Sequence, residues 1–100
     1  MTPRSLKLRL TVEIAGVLRN LHPHLKKKLR ESFRIILSDP LSGKALKDEL
    51  DGLRSFRVGT FRIIYRIVRG QIIEIVAIGP RKHIYEETFR LLKKKVKRPL

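Results

Sequence analysis

The sequence contains no cysteine. Disulfides and thiolate metal sites are therefore excluded, and a reducing compartment is the natural setting. Nowhere does an apolar run approach the ~20 residues needed to span a bilayer as a helix. Residues 1–10 carry Arg4, Lys7 and Arg9 without an apolar block, so no secretory signal is expected. These absences together predict a soluble, cytoplasmic protein. No Gly-rich phosphate loop, no zinc spacing and no Ser-His-Asp arrangement can be assembled. His22 and His24 flank Pro23 with no carboxylate or cysteine close by, so neither a metal nor a cofactor is expected. Internal repeats and interdomain linkers are also missing. Acidic residues are scarce: nine Asp and Glu face 24 Lys and Arg, a net charge of +15 on 100 residues.

That imbalance is the strongest compositional signal. Charge of this size opposes compaction by self-repulsion, so a polyanion or an acidic protein is the expected partner. No helix combines a broad aromatic or Leu face with the Lys and Arg residues, which argues against a membrane surface. The chain makes one domain, residues 1–100, and a domain this small buries only ~65% of its unfolded surface. A hydrophobic content of 42% suffices for a compact core.

Along the chain, Leu6-Lys7-Leu8-Arg9-Leu10 alternates and predicts a strand. Thr11 then caps a short helix over residues 12–20, with Val12, Ala15, Leu18 and Leu21 at helical spacing. Pro23 opens a second helix, whose apolar face is Leu25, Leu29, Phe33, Ile36 and Leu37. Asp39-Pro40 stops it. Residues 41–51 form a connection in which Leu46 and Leu50 are candidates to reach the core. Three runs follow, at about 53–58, 61–68 and 71–78, separated by Gly59-Thr60 and Arg69-Gly70, which is the pattern of an antiparallel meander. Gly79-Pro80 ends the third. A last helix is expected over about 82–95, with Ile84, Phe89, Leu92 and Val96 as its buried stripe, and residues 93–100 as a basic tail prone to fraying. The order is β-α-α-β-β-β-α. The fold class is α+β: a four-stranded, mostly antiparallel sheet, two N-terminal helices packed on it and a C-terminal helix. The neighbour of the first strand is open. In the meander, basic residues alternate with apolar ones, so one face packs and the other displays charge.

Three segments carry a resemblance. They are Lys44-Ala45-Leu46-Lys47 with Leu50-Asp51-Gly52-Leu53, then Arg57-Val58-Gly59-Thr60-Phe61-Arg62-Ile63-Ile64-Tyr65, and finally Ile78-Gly79-Pro80-Arg81-Lys82-His83-Ile84-Tyr85. Together they resemble the signature of the RelE/ParE superfamily, the toxins of type II toxin–antitoxin systems, with the RelE-like branch favoured. The resemblance implies a small microbial-ribonuclease-like domain and an acidic antitoxin as partner. For the RelE branch it implies metal-independent cleavage of messenger RNA in the ribosomal A site, which arrests translation. For the ParE branch it implies inhibition of DNA gyrase without nuclease activity. A non-catalytic RNA- or ribosome-binding domain is a further alternative.

Carried over residue by residue, the resemblance makes Arg62 the strand arginine that meets the reacting phosphate. Attack by a ribose 2′-hydroxyl gathers negative charge on the non-bridging oxygens, and a guanidinium binds these bidentately. Arg81 becomes the second arginine on that phosphate, and Lys82 an adjacent phosphate binder. Tyr85 is a base-stacking or proton-transfer residue, and His83 a candidate for proton transfer beside it. Arg57 falls where some cleaving members use lysine as acid or base. Arginine does not readily deprotonate, so phosphate binding is its expected role. Arg54 and Arg66 are candidates to extend the RNA-binding surface, and the basic helix faces, including Lys26 to Lys28, would contact ribosomal RNA. One position departs from the pattern: Ser55 stands at a second basic position of the family, which leaves the acid and base unassigned.

Overall fold

The computed structural model describes residues 6–69, 71–80 and 83–96. The described elements are β1 (Lys7–Leu10), α1 (Val12–Arg19), α2 (Pro23–Ser38), β2 (Lys44–Ala45), a single 3₁₀ turn (Asp48–Leu50), β3 (Arg54–Val58), β4 (Phe61–Val68), β5 (Ile72–Pro80) and α3 (Ile84–Val96). The architecture is α+β, as the alternating and helical periods imply, but the sheet has five strands and not four. Its order is β1-β5-β4-β3-β2. The additional strand, β2, is a two-residue edge paired antiparallel to β3 through Lys44↔Ser55 and Ala45↔Arg54. Two residues are too few to show a period, which is why the connection read as irregular. β1 joins β5 in parallel, Lys7 opposite Ile72.

Local signals account for most boundaries. Thr11 Oγ1 accepts from the Ile14 amide at 3.1 Å and starts α1. His22 caps α2, its Nδ1 accepting from the His24 amide at 3.1 Å, and Pro23 occupies the first turn. One His22 ring nitrogen is thus committed to a helix cap, and its ring stacks on that of His24 at 5.3 Å. Gly59 takes φ +61° in the tight turn between β3 and β4, a conformation that suits a residue without Cβ. β5 runs through Gly79-Pro80 instead of stopping before them. Pro80 closes the strand opposite Phe61, at the end of the ladder, where a missing donor is tolerated.

The sheet buries both faces, each with its own cluster. On one face, α1 and α2 deliver Ile14, Leu29, Phe33 and Ile36 onto Val58, Ile63, Tyr65, Ile73, Ile75 and Ile78. On the other, α3 brings Ile84 onto Ile64, Ala77 and Leu53, with Leu46, Leu50, Tyr85 and Leu92 around them. A bulge leaves Val76 unpaired between Ile64↔Ala77 and Tyr65↔Ile75, so that β5 serves both clusters.

Two expected stripes are corrected. In α1 the buried residue is Ile14, and Val12 is 83% exposed, because the helix turns its first residue away from the sheet. In α3 the stripe is Ile84, Thr88 and Leu92, a strict four-residue spacing, and Phe89 lies off it at 39% exposure. Thr88 is fully buried because its Oγ1 donates to the Ile84 carbonyl at 2.6 Å, leaving no unsatisfied donor. The expected tail is helical as far as Val96. Residues 97–100 and the Val96 side chain lie outside the described residues.

Candidate functional site

The site is built by β3, β4 and α3. Phe56 and Val58 of β3 face the α1–α2 cluster, as do Phe61, Ile63 and Tyr65 of β4. Strand alternation therefore sends Ser55, Arg57 and Arg62 to the opposite face. Arg57 and Arg62 are directly opposed across the β3–β4 ladder. Like charges so placed repel, and among the described residues no carboxylate forms an ion pair with either.

Arg62 is held in its own way. Its Nη1 donates to Ser55 Oγ at 3.3 Å, while its Nε is buried with no hydrogen-bond partner among the described residues. The Tyr85 hydroxyl bonds to the same Ser55 Oγ at 3.2 Å. Three elements thus converge on one serine oxygen. Gly79 lies under this approach. It pairs with Arg62, and a Cβ there would come within 3.1 Å of Ile84 Cδ1. With no side chain at Gly79, Ile84 of α3 packs close over the strand, one residue before Tyr85. The same approach brings the Glu87 carboxylate to 3.9 Å from the position of that Cβ.

The remaining candidates distribute as follows. Tyr85 and Arg62 come together and Arg57 adjoins them. His83 is exposed at the entrance to α3, its backbone in a turn from Pro80, with no side-chain hydrogen bond to Arg62, Ser55 or Tyr85. Arg66 shares the face of Arg62, but its Nε donates to Glu74 Oε1 at 2.6 Å, and Glu74 also pairs with Arg9 at 3.2 Å. Arg54 is on the other face, donating from Nε to the Gly43 carbonyl at 2.9 Å and from Nη2 to that of Leu41 at 3.2 Å. It braces the loop before β2 and stands apart from Arg57 and Arg62. Arg81 and Lys82 lie outside the described residues. Sequence reasoning missed Ser55 as a bridging residue. Ser55 could have been found from parity, since it shares a strand face with Arg57. The approach of Glu87 follows from how α3 lands, which no local pattern encodes. Among the described residues no group of three or more His, Asp or Glu side chains could hold a metal ion.

The fold is thus a five-stranded sheet with two helices on one face and a third on the other, beside Arg57 and Arg62. The family model for the ParE toxin of type II toxin–antitoxin systems, parDE, matches residues 9–85, and the chain belongs to the RelE/ParE superfamily of such toxins. A chain of the toxin–antitoxin complex RelBE2 from Mycobacterium tuberculosis is 31% identical, with a TM-score of 0.69 over 78% of this chain and 100% of that one. An arginine-substituted mutant of the Escherichia coli toxin RelE in the free state superimposes with a TM-score of 0.74 over 94% of this chain and 100% of that one, at 13% identity. The archaeal RelE–RelB complex from Pyrococcus horikoshii gives 0.63 over 78% of this chain and 97% of that one, at 20% identity. The latter two likenesses are of fold. No curated protein matches at a significant level.

Proposed function

We propose that this toxin is a ribosome-dependent messenger-RNA endonuclease that acts without metal and is neutralised by an acidic antitoxin. The observation that carries this reading is the opposition of Arg57 and Arg62, with no ion-pairing carboxylate among the described residues, beside a tyrosine hydroxyl. Two guanidiniums on one strand face suit an anionic ligand, and a phosphodiester in transfer gains charge as it reacts. In the reaction the ribose O2′ forms a bond to phosphorus and the P–O5′ bond breaks. The 2′ proton passes to a base, and an acid protonates the departing O5′. The products are a 2′,3′-cyclic phosphate and a 5′-hydroxyl. Arg62 and Arg57 bind the non-bridging oxygens, with Arg81 and Lys82 as further phosphate ligands. Tyr85 stacks a base or transfers a proton, and His83 supplies the second titratable group. An antitoxin partner is supported by the relatives solved as toxin–antitoxin complexes, and an acidic one fits the charge of +15.

The test is to map the 5′ ends of cellular messages after brief induction. Cuts bearing 5′-hydroxyls within A-site codons are expected from the native chain. Arg62→Ala should lower cleavage by roughly 10²–10³-fold, the range for losing one preorganised charge stabiliser. A second reading, a gyrase inhibitor without nuclease activity, is favoured by the match to the ParE family model. In that case translation continues while DNA supercoiling fails, and toxicity survives Arg62→Ala and Tyr85→Phe.

A further inference from the structure

Ser55 occupies the one position where the sequence departs from the resemblance, and it is the side chain on which the site converges. It is 2% exposed. Arg62 of β4 and Tyr85 of α3 both reach its Oγ, at 3.3 Å and 3.2 Å. A hydroxyl offers two lone pairs and one proton, whereas a guanidinium only donates. Ser55 Oγ therefore always accepts from Arg62. It also accepts from the Tyr85 hydroxyl. With the Arg62 Nε buried and unpartnered, the bond to Ser55 is the only hydrogen bond recorded for its guanidinium among the described residues. Arg57 is opposite it across the ladder, where like charges repel. A lysine or arginine at position 55 could not replace the serine, because neither has a lone pair to accept from Arg62.

The geometry points to Ser55 as a positioning residue for RNA cleavage. Its hydroxyl ties the Arg62 guanidinium to the Tyr85 phenol as one unit and fixes the orientation in which Arg62 meets the scissile phosphate. This rests on the endonuclease reading. Ser55 does not touch the reacting atoms; it sets the plane of one group and the reach of the other. The chain thus gives up a charge at this position for an acceptor.

The experiment is single-turnover cleavage of a defined message on programmed ribosomes, with rate constant and half-saturation measured separately. Ser55→Ala is expected to lower the rate constant roughly 10- to 100-fold, the effect of misplacing a reacting geometry, with half-saturation unchanged. Ser55→Thr keeps the hydroxyl and should restore most of the rate. Ser55→Cys, whose thiol is a weak acceptor that fits the same space, should resemble the alanine variant and serves as the test if that variant does not fold. Ser55→Ala added to Tyr85→Phe should cost little beyond either change alone, since residues acting as a unit are non-additive. Circular dichroism and melting temperature verify the fold of each variant. A native-like rate in Ser55→Ala or Ser55→Cys, an effect confined to half-saturation, or fully multiplicative losses with Tyr85→Phe would overturn the role of Ser55 while leaving the nuclease standing. A native chain that cuts no message overturns the endonuclease reading and this role with it.

Discussion

At the scale of single residues, the two tyrosines show how one side chain type serves opposite ends. Tyr65 has no exposed surface, and its hydroxyl donates to the Pro40 carbonyl at 2.7 Å while accepting from the Gly43 amide at 2.9 Å. Tyr65→Phe leaves those two backbone groups without a partner. The expected loss of stability is about 1–3 kcal/mol, to be read from urea unfolding. Alternation along β4 assigns Tyr65 to the core face, but its hydroxyl partners lie 22 and 25 residues away and are invisible locally. Phe89 makes the converse point. It sits off the buried stripe, with the Lys93 ammonium 5.6 Å from its ring centroid. Phe89→Ala is expected to change stability by no more than about 0.5 kcal/mol, the usual range for surface substitutions. A loss of several kcal/mol would mean that α3 packs in another rotation.

At the scale of elements, helix starts were legible because they depend on a few adjacent atoms. Thr11→Ala removes the cap on α1 and should cost about 1 kcal/mol in thermal or urea unfolding. Strand neighbours were not legible, since β1 could have paired with either edge. It lies against β5, where Arg9 reaches Glu74, a carboxylate 7% exposed that also holds Arg66 of β4. Three strands are tied at that carboxylate. Both arginine side chains are more than two-fifths exposed, so solvent screens each pair. Glu74→Ala is accordingly expected to cost about 1 kcal/mol, a deficit that shrinks in high salt. An unchanged melting temperature at low salt would show that pairing of the backbone alone holds β1.

For the whole molecule, the charge of +15 sets how association responds to salt. If the toxin binds RNA as proposed, its affinity for single-stranded RNA should weaken linearly with salt on a log–log scale, with a slope of about −0.7 per phosphate neutralised. Arg57→Ala should weaken binding across sequences alike and flatten that slope by about 0.7, as for loss of one phosphate contact. Fluorescence anisotropy over a salt series checks both. A salt-independent affinity would contradict a phosphate-led interaction. The charge is distributed unevenly in its effect: Arg9 and Arg66 are committed to Glu74 and Arg54 to backbone carbonyls, while Arg57 and Arg62 confront each other. Composition counts these residues equally, and only their surroundings separate them.

The paired arginines mark where local and global information divide. Strand periods and the Gly59 turn already put Arg57 and Arg62 on one charged face, because a two-residue period and a two-residue turn are set by neighbouring atoms. The α+β class, the caps and the superfamily signature were local in the same sense. Which of the described charged residues form ion pairs was decided by the fold, as was the landing of α3 on a face that the strand pattern alone left open. Ser55 became central by the same route. Its hydroxyl meets Arg62, seven positions on, only through the β3–β4 pairing, and meets Tyr85, thirty positions on, only through the packing of α3 on the sheet. Contacts of that range depend on how packed surfaces fit, which no window of sequence contains.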